Sequence, residues 1–370
     1  MKYIIDNSNL YAGGGIQVAS SFLNDLKNLN LKNEYHVIQS FKMAESFDIN
    51  DFPVNFKFYN LCRESEKSIV IRIKKVKLIE NKIIPDCIFT IFGPSYHKSK
   101  FPKIVGFAIP HIIYGDSPYI KNLDLLSKIK NKLIMEFKRF FFVKNSDALV
   151  FETNDACKRF EKLSGFENNY VVGNTLNQIF LDQSKWKSFD LNDNNKLKVL
   201  MVTANYPHKN IMLIPSIIDK LIVEKGFNNF KFIITLDKKE LGFSSVYDDY
   251  IQYVGKVSLS HLPSLYEQST IVFIPTLLEV FSATYLEAMY MSKAIVASDM
   301  GFSRDICDDA AYYCNPLDTN QYVDGIFNLL SNSHLRESLE KKGRARVEEF
   351  GSSMERSLKY LEIIENINSK

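Results

Sequence analysis

Ile271-Val-Phe-Ile-Pro-Thr-Leu-Leu-Glu279-Val-Phe-Ser-Ala-Thr-Tyr-Leu-Glu287-Ala-Met-Tyr-Met-Ser-Lys-Ala294-Ile-Val-Ala-Ser-Asp299 holds two short apolar runs on either side of a helical pattern. Continuous apolar runs such as Ile271 to Ile274 and Ala294 to Ala297 read as strands buried on both faces, the mark of a parallel sheet. A helix from about Ser282 to Met291 is expected between them. Glu279 then lies in the loop at the carboxyl end of a strand and Glu287 in the second turn of the following helix. Open α/β sheets bind ligands at that end of their strands.

The same alternation runs through the chain. Strands are expected at 3–5, 35–38, 56–59, 87–91, 104–108, 148–151 and 170–172, and again at 199–203, 232–236, 253–254, 271–274, 295–297 and 311–314. Helical patterns separate them, so the class is α/β with parallel sheets. A polar gap from Gln183 to Lys196 divides the strands into two sets. We therefore expect two Rossmann-like domains facing an interdomain cleft, one over residues 1–182 and the other over 183–351. The remaining tail is helical beyond a break at Phe350-Gly-Ser-Ser353, where Gly351 can end one helix and a serine can cap the next.

Composition excludes several classes. With 46% hydrophobic and 24% charged residues the chain reads as an ordinary globular protein, and a net charge of +3 is too small to make nucleic acid its main partner. Its five cysteines form no C-x-x-C pair, which fits a reducing compartment better than a disulfide framework or a metal site. The apolar start at Met1 is too short for a signal-peptide core, and no stretch reaches the roughly 18 apolar residues of a spanning helix. A cytoplasmic location is expected.

The carboxylates of Glu279 and Glu287 flank a helix N-terminus, where an anion is favoured by backbone N–H groups. Carboxylates accept hydrogen bonds from hydroxyls and repel phosphate, so the arrangement suits a sugar, a diphosphate and a ribose in a row. In Leu197-Lys-Val-Leu-Met-Val-Thr-Ala-Asn-Tyr-Pro-His-Lys-Asn-Ile211 a strand and loop precede a helix expected to begin near Lys209. That would stand Lys209 at a helix N-terminus as a point charge for a diphosphate. The glycine run in Tyr11-Ala-Gly-Gly-Gly-Ile16 follows the first strand and opens a helix to about Leu29. Gly14 and Gly15 could admit a phosphate or serve only the strand-to-helix turn.

These segments resemble the GT4 family of retaining glycosyltransferases, which have the GT-B fold. The E-x7-E pair, Phe273-Ile-Pro-Thr276, Glu287-Ala-Met289 and His208-Lys-Asn210 carry the resemblance, most strongly over 197–317. It implies that Glu279 contacts the transferred sugar, Glu287 the ribose and Lys209 the diphosphate, with Phe281, Ser282 and Ala283 around the helix start. It also implies that Gly255, Lys256 and Val257 lie near the base, that His111 faces the donor sugar, and that residues 352–370 return to the N-terminal domain. Catalytic roles fall on Glu279, Lys209 and His111. The chain departs from the family where Thr203 and Ala204 stand in place of an arginine, leaving Asn205 or His208 to compensate. Ser282 replaces a common glycine and offers a hydroxyl cap to the helix. With no D-x-D in the sequence and Lys209 as the phosphate cation, no metal and no cofactor is expected.

A further pattern concerns surfaces. Leu126, Ile129, Leu133, Phe137 and Phe140 keep to one helical face, with Lys128, Lys132, Lys138 and Arg139 mostly opposite. The stripe either packs into the first domain or meets an anionic membrane surface, to which Arg72, Lys74, Lys75 and Lys77 would add charge. The resemblance implies transfer from a nucleoside-diphosphate sugar to a lipid-linked saccharide in O-antigen, lipopolysaccharide or capsule assembly, on the inner face of the cytoplasmic membrane. Two alternatives stay open: a nucleotide-sugar epimerase of the same fold, and a non-catalytic nucleotide-sugar-binding subunit.

Overall fold

A computed structural model describes residues 1–11, 13–45, 48–191 and 195–368. Ala12 of the glycine loop, 192–194 of the polar gap and 369–370 of the tail lie outside the described residues. The chain divides into two compact units, one of residues 1–113, 124–174 and 352–370, the other of 114–123 and 175–351. The division falls at 174/175, whereas the composition shift placed it after 182. Residues before 182 explain the difference: the Phe180 ring packs edge-on against Tyr266 at 5.8 Å and the Trp186 indole N–H donates to the Ile179 carbonyl at 2.8 Å. The polar gap thus begins inside the second unit.

The first unit holds β1 (Lys2–Asn7), β2 (Glu34–Gln39), β3 (Phe56–Asn60), β4 (Cys87–Thr90), β5 (Lys103–Phe107), β6 (Ala148–Phe151) and β7 (Asn169–Val171). They form one parallel sheet in the order β3-β2-β1-β4-β5-β6-β7. In the second unit, β8 (Leu197–Met201), β9 (Phe230–Ile234), β10 (Ile251–Tyr253), β11 (Ile271–Ile274), β12 (Ala294–Ser298) and β13 (Ala311–Cys314) pair in parallel as β10-β9-β8-β11-β12-β13. Each expected strand is present, shifted by no more than two residues at either end. Central strands of both sheets are buried along their length, which is why they read as continuous apolar runs.

One face of the first sheet is covered by the Gly14–Leu29 helix and by the C-terminal helix Ser353–Asn368. A capping box starts the latter: the Glu355 N–H donates to the Ser352 hydroxyl at 3.2 Å and the Ser352 N–H to the Glu355 carboxylate at 2.6 Å. Gly351, at φ +67°, supplies the left-handed turn before it. Tyr360, Leu361, Ile363, Ile364 and Ile367 enter the core formed by Phe22, Leu26 and Phe89. Asp25, buried on the first helix, accepts from the hydroxyls of Ser353 at 3.1 Å and Ser357 at 2.8 Å.

Two donors on one buried carboxylate form a unit whose members should not contribute independently. Asp25→Ala should lower unfolding stability by roughly 2–4 kcal/mol. Adding Ser353→Ala and Ser357→Ala to that background should cost little more, a coupling measured by denaturant titration of the natural protein, Asp25→Ala, the double serine variant and the triple variant.

Candidate active site

Strand order decides where the chemistry lies. From β8 the chain passes to β9 and β10 on one side, then returns to β11 on the other. The loops leaving β8 and β11 therefore diverge from adjacent strands, opening the kind of crevice in which such sheets hold ligands. Asn205, His208 and Lys209 occupy the first loop, and Glu279 the second. Lys209 Nζ and Glu279 Oε1 meet as an ion pair, with their side chains 19% and 16% exposed. Thr276 Oγ1 lies 3.3 Å from Glu279 Oε1 and 3.4 Å from the His208 carbonyl. The same carbonyl accepts the Leu277 N–H at 2.8 Å, and the Ser117 hydroxyl donates to the Leu277 carbonyl at 2.6 Å. The two loops are laced together by backbone bonds that hold the charged pair in place.

Lys209 does not stand at an α-helix N-terminus, contrary to the expectation from sequence. Pro207–Lys209 is a single 3₁₀ turn, Asn210 is left-handed at φ 57°, and a second turn over Ile211–Leu213 precedes the helix Ile214–Val223. Pro215 fits that first helical turn, where its missing N–H costs nothing. The positive charge here is the ammonium itself and not a helix dipole.

The absent arginine is not replaced by a second cation in this loop. The Asn205 amide donates to the Glu240 carbonyl at 2.9 Å. Burial, assisted by the neighbouring Lys209 charge, pushes the His208 imidazole down to about 4, so it is neutral near pH 7. Its ring stacks on Tyr206 at 5.5 Å and 6° and meets the edge of Tyr119 at 5.8 Å. Tyr206 is 56% exposed, so one aromatic face stands open beside Lys209.

Glu287 lies on the helix Ala283–Tyr290 and is 6% exposed. The Tyr266 hydroxyl donates to its Oε2 at 2.8 Å. Burial pushes this carboxyl up to about 7, against the pull of the Tyr266 bond. Ser282 precedes the helix, but its hydroxyl makes no capping bond; its carbonyl accepts the Tyr285 N–H at 3.2 Å. The expected hydroxyl cap is therefore absent. Ala283 begins the helix, and the Phe281 ring packs edge-on against Phe350 at 6.2 Å.

Gly255, after β10, sits at φ +66°, and a Cβ there would come 3.0 Å from Asp237 Oδ1. Its own turn thus accounts for the glycine, with Lys256 exposed and Val257 half-buried beside it. In the first unit, Gly13 takes φ +69° ahead of the helix that Gly14 opens. A Cβ on Gly15 would crowd Leu10 at 3.3 Å, whereas one on Gly14 would meet open space. His111 is half-buried in the short helix Pro110–Ile113 that follows β5. Sequence reasoning missed Thr276, Ser117, Tyr119 and Tyr206 as site residues. Each acts across long sequence separations or through ring stacking, for which no local pattern exists.

Residues 182–346 match the model of the family described as glycosyl transferases group 1. The matched segment makes up most of the second unit. Among curated proteins, the O-antigen chain mannosyltransferase RfbU of Salmonella typhimurium strain LT2 is 27% identical over 137 residues. That match covers 35% of this chain and 37% of the relative, so the chain spans little more than a third of the protein it matches. Among solved structures, sucrose-phosphate synthase from Thermosynechococcus elongatus has a TM-score of 0.77 at 12% identity, covering 100% of this chain and 99% of that one. WaaG, a glycosyltransferase involved in lipopolysaccharide biosynthesis, gives 0.70 at 12% identity over 98% and 99%. Anabaena Alr3699/HepE in complex with UDP gives 0.68 at 10% identity over 99% and 100%. At these identities the structures establish the fold, which is GT-B.

Within this unit two charged groups can be tested separately. A carboxyl raised from 4.5 to about 7 holds its proton more tightly when folded than unfolded. The stability it contributes is complete below the unfolded value and is lost as pH rises through the folded one. Glu287→Gln should match the melting temperature of the natural protein near about pH 5 and exceed it near about pH 8. A pH series of thermal melts reads the difference.

Lys209→Ala removes one partner of a mostly covered but solvent-touched pair, which costs about 0–1 kcal/mol in stability. Turnover with a donor whose leaving group is anionic should fall by about 10² or more, because the loop offers no second cation. Steady-state kinetics beside a thermal melt distinguish the two effects.

Proposed function

We propose that the chain is a retaining glycosyltransferase that moves a sugar from a nucleoside-diphosphate sugar to a hydroxyl of a lipid-linked saccharide, in bacterial surface-polysaccharide assembly at a membrane face. The observation that carries this reading is the Lys209–Glu279 ion pair at the β8/β11 switch point, within the segment matched by the glycosyltransferase family model. An arriving diphosphate competes with Glu279 for the ammonium. Lys209 then turns to phosphate, and the released Glu279 accepts hydrogen bonds from the sugar hydroxyls. Glu287 accepts from the ribose.

In the transfer step the bond from the anomeric carbon to the β-phosphate oxygen breaks, and its electron pair leaves with phosphate. The acceptor oxygen bonds to that carbon on the same face and gives its proton to the leaving phosphate. Lys209 stabilises the charge that accumulates, the group effect that dominates such reactions. Because an ammonium fills this role and the sequence has no D-x-D, the reaction is independent of divalent metal. NMR of early product from a reaction in excess EDTA should show transfer with the donor's anomeric configuration kept. Inverted product would overturn retention, and activity restored only by Mg²⁺ or Mn²⁺ would overturn the metal-free site. Donor binding with neither transfer nor donor cleavage would favour a binding subunit, a reading motivated by the missing arginine.

A further inference from the structure

The helix Leu125–Asn145 of the first unit has its polarity turned outward. Leu126, Ile129, Leu133, Phe137 and Phe140 recur at three- and four-residue spacing, the period of one helical face. All are exposed, with Leu126 at 79%, Leu133 at 67% and Phe137 at 56%. Only Phe142 and Asn145 of this 21-residue helix are buried. Asn131, Lys128 and Lys138 face inward and are half-covered, and burial lowers the Lys138 ammonium. Packing against the first domain is therefore excluded for the stripe. A helix that half-covers Lys128 and Lys138 while showing its leucines and phenylalanines to solvent is the reverse of what water selects.

Charge decides what covers it. Lys130, Lys132 and Lys144 are exposed around the stripe, and Lys144 Nζ lies 5.0 Å from the Phe140 ring centroid. The Tyr96 ring links this helix to the Ile69–Ile83 helix: it packs against Phe141 at 5.2 Å and lines a small cavity with Arg72 and Ile73. That second helix exposes Ile69, Val70 and Leu78 together with Lys74 and Lys77. Arg72, expected in this basic cluster, is instead buried and bonded to the Tyr11 hydroxyl. A two-fold pairing of copies through the stripe would bring the same lysines face to face. No described helix is long and apolar enough to cross a membrane. We infer that the Leu125–Asn145 helix lies in the interface of an anionic bilayer, its leucines and phenylalanines among the acyl chains and its bordering lysines on lipid phosphates. The purpose of this docking rests on the proposed lipid-linked acceptor; the surface chemistry does not.

Co-sedimentation of the full chain with phosphatidylglycerol and with phosphatidylcholine vesicles tests the inference. Binding should be about tenfold or more tighter to phosphatidylglycerol and should weaken as salt rises. The exposed pair Leu133→Asp with Phe137→Asp should abolish it without changing the thermal melt. Three outcomes overturn the assignment: no binding to phosphatidylglycerol, equal binding to both lipids, or a dimer that those substitutions dissociate in the absence of vesicle binding. Nucleoside-diphosphate calorimetry on the same sample keeps the readings apart. Nucleotide binding without vesicle binding overturns only the docking, and vesicle binding without nucleotide binding overturns only the proposed activity.

Discussion

The meeting of Lys209 with Glu279 is the contact on which the site depends, and sheet topology creates it. Val199 and Leu200 pair with Ile271 and Val272, so β8 and β11 end side by side and send their loops in different directions. Opposite charges at that junction are worth little as stability, since both side chains still reach solvent. In the proposed function the pair is exchangeable: a diphosphate would carry more charge than one carboxylate and would displace it from the ammonium. Each group then meets the ligand chemistry for which its charge suits it. The backbone bonds among His208, Thr276 and Leu277 keep the two loops from separating when the ion pair opens.

Both sheets share this strand order, but the loops at their switch points are built from different residues. In the first unit β1 passes to β2 and β3 and the chain returns at β4, so the switch lies between β1 and β4. There the loop after β1 carries the glycines, with Gly13 demanded by its left-handed backbone and Gly15 by the proximity of Leu10 and Phe92. Gly14, with open space where its Cβ would be, is the one whose choice neither turn nor packing explains.

Much of the fold was legible because buried parallel strands have a signature that needs no tertiary information. Apolar runs such as Ile271 to Ile274 can be covered only by helices on both faces, and the helical spacing between runs supplies those helices. The Glu279 and Glu287 spacing was legible for the same reason. What the sequence could not show was long-range or directional. Lys209 finds Glu279 and Tyr266 finds Glu287 across distant segments. Residues 114–123 leave the unit that surrounds them in sequence and join the other. Periodicity located the apolar stripe of the Leu125–Asn145 helix but not the side it would face, because a moment has a direction only relative to a neighbour.

Two buried carboxylates show how the site differs from ordinary structure. Burial alone would raise Glu80, but His97 at 2.7 Å, Ser99 at 3.1 Å and the Lys103 ammonium at 3.3 Å hold it below its usual value. Its acceptor capacity is filled and its charge is compensated, so it completes a structural network. Glu287 is as thoroughly buried but is given one donor, the Tyr266 hydroxyl, and burial wins. A carboxylate left short of donors in a dry site gains most from a partner that brings hydroxyls of its own. The fold tolerates that shortage at Glu287, one helical unit from the Lys209–Glu279 pair, and satisfies it at Glu80. Strongly perturbed groups collect where ligands bind for this reason.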